Sequence, residues 1–148
     1  KYPEKQGKDL ETTQKACEKF RTIPTSVMNF LEGIRFSQAK HDEQQSPYQY
    51  LLKPKAGGMA FALNAMNGQF DSILDVTVYY PGGIPSFWDF LQGKMHQCRV
   101  EISERDIPPH LQQGSYATDA TYRQQFQQWT HELWLQKDER LKALHKAD

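Results

Sequence analysis

Glu32, Gly33 and Arg35 fall within four residues, directly after an apolar run that ends at Leu31. An acid and a guanidinium this close can converge on one ligand if the backbone between them turns, and glycine turns most freely. The arginine fork is shaped for bidentate recognition of a phosphate. The same residues also suit a plainer reading, a strand running out into a solvated Glu/Arg loop. Lys55 adds a further cation within Lys53-Pro54-Lys55-Ala56-Gly57-Gly58, just ahead of a second apolar run. Gly57 and Gly58 would let a backbone N–H approach a phosphate at a helix N-terminus. They would equally allow a helix to pack closely on a sheet.

Other chemistries find little support. A Gly-x-Ser-x-Gly elbow, a Walker A loop and a Gly-x-Gly-x-x-Gly dinucleotide motif are all absent. The histidines, at 41, 96, 110, 131 and 145, form no pair at metal-ligand spacing, so no metal site is expected. His96 and Glu101 are five positions apart on an expected strand and would face opposite sides. His41-Asp42 lies in a polar stretch and reads as a solvated pair. The chain thus offers groups for binding phosphate but neither a convincing base nor a nucleophile.

The elements that must position these groups follow from the apolar pattern. Val27 to Leu31 reads as a strand that delivers Glu32 and Arg35 at its carboxyl end. Before it, residues 1–7 form a loose lead-in, Lys8 to Phe20 an amphipathic helix and Pro24 a turn. Residues 37–50 lack an apolar period and read as a long polar loop. Met59 to Asn67 is apolar nearly all round, a helix buried on several sides, with Gly68 as its C-terminal cap. Ser72 to Tyr80 is a β-branched and aromatic strand closed by Pro81-Gly82-Gly83. Strand, helix and strand across 27–80 imply a right-handed crossover and a parallel pair. The expected class is therefore α/β, with a partly parallel sheet flanked by helices. Pro85 to Leu91 reads as a short helix, and Met95 to Ser103 as a strand with Cys98, Val100 and Ile102 on one face. Pro108-Pro109 breaks the chain. The longest helix runs from Asp119 to about Lys146, with Tyr122, Phe126, Trp129, Leu133, Leu141 and Leu144 as its core stripe.

The chain has 148 residues, enough for one domain with a real core. Eighteen basic and eighteen acidic residues cancel, which argues against nucleic acid as the partner. Mean hydropathy is −0.79 while 12% of residues are aromatic, so the surface is polar but the chain is not of disordered type. Cys17 and Cys98 match no zinc or redox spacing and read as reduced structural thiols. There is no apolar run near the ~18 residues a membrane span requires. The sequence opens on Lys1 within a polar stretch and reads as part of something longer.

The ordered motifs resemble one family. Asn29-Phe30-Leu31-Glu32-Gly33-Ile34-Arg35-Phe36 resembles the third motif, Phe-Pro-Glu-Gly-Thr-Arg, of the glycerolipid (lysophosphatidic acid) acyltransferases. Lys53 to Gly58 falls where that family carries a Lys-x-Gly segment opening a helix. Ser72 to Pro81, with Asp75-Val76-Thr77-Val78 inside it, resembles the fourth-motif strand, most closely in the lysocardiolipin-acyltransferase-like branch. The small helix, the strand and Trp134 to Leu141 follow in the same order. The overall likeness is to a bacterial inner-membrane acyltransferase.

The resemblance implies transfer of a fatty acyl group from acyl-CoA or acyl carrier protein, as co-substrate, to a lysophospholipid hydroxyl, with no cofactor. It implies that Glu32 positions the acceptor, Arg35 clamps its phosphate, Gly33 supplies the turn and Lys55 assists binding. Ile34 replaces the family's usual Thr, removing one hydroxyl donor, and Leu31 stands where Pro is frequent. The family's catalytic His-x4-Asp occurs nowhere in the sequence. The chain is therefore expected to be the C-terminal portion (1–148) of the acyltransferase domain, inactive alone. The base and any membrane anchor would lie upstream, and the full protein would sit at the cytoplasmic face of the bacterial inner membrane. A sheet cut in this way exposes a face or edge, which favours dimers. The alternative is a non-catalytic α/β module that binds a phosphorylated ligand or a protein partner.

Overall fold

A computed structural model describes residues 26–147. The helix expected over Lys8 to Phe20, and Cys17 within it, lie outside the described residues. Four α-helices, a two-stranded sheet and one 3-10 turn make up the described chain. These are α1 (Gln38–Gln44), α2 (Ala56–Ala65), β1 (Ile73–Tyr79), α3 (Phe87–Leu91), β2 (Arg99–Arg105), a 3-10 turn at Pro109–Leu111 and α4 (Ala120–Ala147).

The sheet differs from expectation. β1 pairs with β2 antiparallel, Val76 opposite Ile102 and Val78 opposite Val100. The chain leaves β1, turns through α3 and returns directly, so no crossover is available to make a parallel pair. Val27 to Leu31 forms no strand, and Val27, Met28 and Phe30 are exposed at 46%, 84% and 78%. An extended apolar run becomes a strand only when a neighbour takes its backbone groups in a ladder, and among the described residues the segment leading into α2 gives this run one such bond, Lys55 N–H to the Leu31 carbonyl, and no ladder. Mixed helices and a small sheet remain compatible with an α/β class. The partly parallel sheet is not found among the described residues.

The polar stretch 37–50 is also not all loop. Ser37 caps α1 by accepting from the Lys40 amide at 3.4 Å, and Gln45 ends the helix in the left-handed region at φ 49°. α1 buries no residue, so hydrophobic periodicity could not reveal it. α2 begins three residues earlier than Met59 and takes in Gly57 and Gly58, with Ala56, Met59, Ala60 and Leu63 buried. Asn67 and Gly68 follow with φ of 50° and 76°, which glycine accommodates. β2 starts four residues later than expected, leaving Cys98 exposed in the preceding loop rather than packed.

α4 organises the core. The Asp119 carboxylate accepts from the Thr121 and Tyr122 amides at 2.9 and 3.0 Å, capping the helix start. Its first half joins α2 in a cluster built on Met59, Ala60, Leu63, Leu111, Tyr122 and Phe126. Its second half carries Trp134, Leu141 and Leu144 against Tyr48, Leu51 and Tyr79. Trp129 and Leu133 are only partly buried; Thr130 and Asp138 complete the buried stripe instead.

The hairpin sheet is inverted in polarity. The face toward α4 holds the ion pairs Asp75–Lys137 (2.6 Å) and Glu101–Arg140 (2.5 Å). The opposite face presents Leu74, Val76, Val78, Val100 and Ile102, all 45–63% exposed.

Candidate functional site

The turn carrying Glu32 is set by its own backbone. The Gly33 amide donates to the Phe30 carbonyl at 2.9 Å, and Gly33 adopts φ +71°. A Cβ at Gly33 would sit 3.2 Å from Lys55 Nζ. Glycine is favoured here by the left-handed dihedral, while the ammonium is the end of a flexible side chain that could give way to a Cβ.

That turn lies along the segment leading into α2. The Lys55 amide donates to the Leu31 carbonyl at 2.7 Å, and the Leu52 amide donates to Glu32 Oε1 at 3.1 Å. A Cβ on Gly58 would stand 3.2 Å from the side-chain Nδ2 of Asn29. Glu32 is half-buried. Burial raises its carboxyl above the ordinary range, opposed by the Leu52 N–H and by the charge of Lys137. The structure therefore brings Glu32, Gly33 and Lys55 together. Arg35 is exposed, and only its backbone carbonyl is engaged, by Lys40 Nζ at 3.1 Å. Among the described residues its guanidinium forms no hydrogen bond or ion pair with Glu32, so the two charges are not joined in this state.

Residues the motif pattern did not single out hold this arrangement. Asp138 accepts from the Gln49 and Tyr50 amides, both at 2.7 Å. Trp134 Nε1 donates to the Leu52 carbonyl at 3.1 Å, and His131 Nδ1 shares a 2.6 Å hydrogen bond with the Tyr48 hydroxyl. Positions 131, 134 and 138 lie on one face of α4 and grip residues 48–52 as a strap. The strap then presents the Leu52 amide to Glu32. Lys137, between these positions, pairs with Asp75 and also donates to the Val76 carbonyl at 2.9 Å. The available signal was a carboxylate, Asp138, at helical spacing between Trp134 and Leu141.

His41 is not the solvated residue expected. Its Nε2 lies 2.6 Å from the Tyr48 carbonyl, and its Nδ1 3.2 Å from the exposed Asp42 carboxylate. The Tyr48 carbonyl first, then Asp42, favour the imidazolium and raise its pKa above 6.5. A cavity of about 480 Å3 opens between the strap and α4, lined in part by Tyr48, Lys53, Lys55, Gly57, Gln127 and His131. Among the described residues, no three His, Cys, Asp or Glu side chains cluster to hold a metal.

Similar proteins point to lipid acyl transfer. The chain is similar to lysocardiolipin acyltransferase 1 of Danio rerio, 27% identical over 134 residues, covering 84% of this chain and 33% of that protein. The protein of the same name from Gallus gallus is 29% identical over 102 residues, 68% of this chain and 25% of its own length. The 1-acyl-sn-glycerol-3-phosphate acyltransferase gamma of Mus musculus is 29% identical over 121 residues, 74% and 29% of the two chains. No family model and no solved structure matches the chain. The chain spans a quarter to a third of the length of these curated relatives. Together they support a glycerolipid acyltransferase, the class that the Glu32–Arg35 motif resembles.

Proposed function

We propose that these 148 residues are the C-terminal portion of an acyltransferase domain acting in phospholipid synthesis or remodelling. The protein moves a fatty acyl group from acyl-CoA or acyl carrier protein to a lysophospholipid hydroxyl. In this reaction the hydroxyl oxygen attacks the thioester carbonyl, a base takes its proton, and the thiol departs. No metal or cofactor is called for. The observation that carries the reading is the seating of Lys55 over Gly33, which joins two separated motifs into one polar surface. On this surface Lys55 and Arg35 bind the acceptor's phosphate, and Glu32 fixes the turn and faces the acceptor. Closure of Arg35 onto bound phosphate would complete the site.

The general base belongs to a His-x4-Asp segment outside this sequence, and the full protein works at the cytoplasmic face of a bacterial inner membrane. Membrane attachment is proposed to lie in that same upstream portion; none of the described helices is long and apolar enough to cross a membrane. The test is acyl transfer from acyl-CoA to lysophosphatidic acid, run on this chain and on a longer form with its upstream sequence. The longer form is expected to turn over and the 148-residue chain to be inactive. In the longer form, Arg35→Ala should lower kcat/KM by about a hundredfold, the loss of one bidentate charged contact. A longer form without turnover would overturn the reading. Equal rates for the two forms would overturn the assignment of the base.

A further inference from the structure

The tip of the β1–β2 hairpin carries apolar surface that the described residues leave open. Ile84, Phe87, Trp88, Phe90 and Leu91 are each 56–67% exposed. Four of them lie on α3, where at about 100° per residue they fill one arc of the helix with Asp89 directly opposite. The ends of α3 are closed from within the tip. The Ser86 amide and hydroxyl donate to the Asp89 carboxylate at 3.0 and 2.6 Å, and the Asp89 amide returns to the Ser86 hydroxyl. At the other end the Gln92 and Lys94 amides donate to the Trp88 and Asp89 carbonyls. The tip therefore offers a partner no strand edge, and its helix ends are already engaged, which suits hydrocarbon better than a protein groove. Its charge suits an anionic surface. Asp89 is the one acid in residues 80–98, and Lys94 Nζ stands 3.9 Å from its carboxylate, so the tip carries no net negative charge to be repelled.

We infer that this tip is a lipid contact. α3 lies in the interface of an anionic phospholipid bilayer, its apolar arc immersed and Asp89 and Lys94 at head-group level, a depth that aromatic rings favour. Five helical residues are too few to span, so the contact is interfacial. The apolar sheet face behind the tip takes no part, because open strand edges do not enter hydrocarbon. Attachment upstream of this chain belongs to the acyltransferase reading; the tip is a second contact, within the chain itself. The inference rests on that reading for the choice of lipid over protein as the occupant.

The test is sedimentation of the chain with vesicles of phosphatidylglycerol and phosphatidylcholine in equal parts, with tryptophan emission read against lipids brominated on their acyl chains. Binding accompanied by quenching is expected. Trp88→Gln should weaken binding about tenfold, since the exposed indole area no longer leaves water. Trp88→Phe should bind within about threefold of the parent yet lose most of the quenching, because Trp129 and Trp134 are partly buried and buried on α4. Lys94→Gln should cost about fivefold on these vesicles and nothing on pure phosphatidylcholine. Leu74→Gln, at a site 62% exposed but at the far end of β1, should bind as the parent does. Equal losses from Leu74→Gln and Trp88→Gln would overturn the assignment to the tip, as would quenching that survives Trp88→Phe. Emission that shifts to the blue with chain concentration and ignores vesicles would make a second copy the occupant. The same shift in the longer form without lipid would mean that its upstream part covers the tip, and either result overturns the lipid contact. Vesicle binding through Trp88 in a longer form that lacks acyl transfer leaves the contact standing and sinks only the enzymatic reading. Acyl transfer by a longer form whose Trp88 never meets lipid does the reverse.

Discussion

Residues 48–55 and 80–98 both connect larger elements and are rich in aromatic or aliphatic side chains, yet they end in opposite environments. Tyr48 and Leu52 are 3% and 0% exposed, whereas Phe87 and Trp88 are 65% and 67% exposed. The difference lies in where their backbone groups are satisfied. The 48–52 strap gives its polar groups to His131, Trp134 and Asp138, more than eighty residues away. The hairpin tip satisfies itself locally. Ser86 and Asp89 close a reciprocal capping box, and the Gly93 amide returns to the Phe90 carbonyl at 3.1 Å. Burial in this molecule follows long-range polar anchors, and apolar content alone does not predict it.

Asp138 is the sharpest place to break that contrast. Asp138→Ala removes one carboxylate that serves two amides at 2.7 Å, in a residue only 9% exposed. The expected loss is about 3 kcal/mol, from charge-assisted bonds forfeited and donors left unpaired. Denaturant unfolding would measure it, and a loss below about 1 kcal/mol would show that water replaces the carboxylate freely. Trp134→Phe comes next. It keeps most of the ring but strands the Leu52 carbonyl, for about 1–2 kcal/mol. An unchanged midpoint for this variant would mean that the strap is held by packing.

The contrast also marks what the sequence could show. β1, α3 and α4 were all expected; for β1 and α4 the signals, a β-branched run and a long apolar stripe, are local ones. The turn at Gly33 was legible for the same reason. The strap was not, since nothing near Gln49 or Tyr50 announces that Asp138 will take their amides. The Val27 to Leu31 strand failed for a related reason. Its apolar content was real, but a strand is a ladder shared with a neighbour, and no described segment forms one with it. α1 escaped because a Ser37 cap makes it and no buried face does.

Glu32 sits where strap and motif meet, and separates their demands. Its carboxyl is raised above 4.5 chiefly by burial. A raised acid is favoured neutral by the fold, so its contribution is present below 4.5 and is lost as pH rises through the folded value. Glu32→Gln keeps an oxygen for the Leu52 amide and never ionises. Its stability should match the parent at pH 4 and equal or exceed it at pH 7, by up to about 1 kcal/mol. Glu32→Ala leaves the Leu52 amide unpaired and should cost about 1–2 kcal/mol at both. A Gln variant less stable than the parent at neutral pH would show that the charge itself, facing Lys137, outweighs burial.

The smallest effect is expected where the side chains are largest. Trp88 lies on α3 with two-thirds of its surface in solvent, its ring edge-on to Phe87 with centroids 6.0 Å apart. Trp88→Gln should change stability by no more than about 0.5 kcal/mol, because little apolar area returns to water. Ser86→Ala would cost slightly more, about 1 kcal/mol, although it removes a single oxygen. That order, a capping hydroxyl above an indole, is the reverse of what residue size implies and follows from local anchoring. Unfolding midpoints of the two variants decide it. If Trp88→Gln proved the more costly, the tip would be held by its aromatic side chains, and the distinction between anchored strap and self-contained tip would fail.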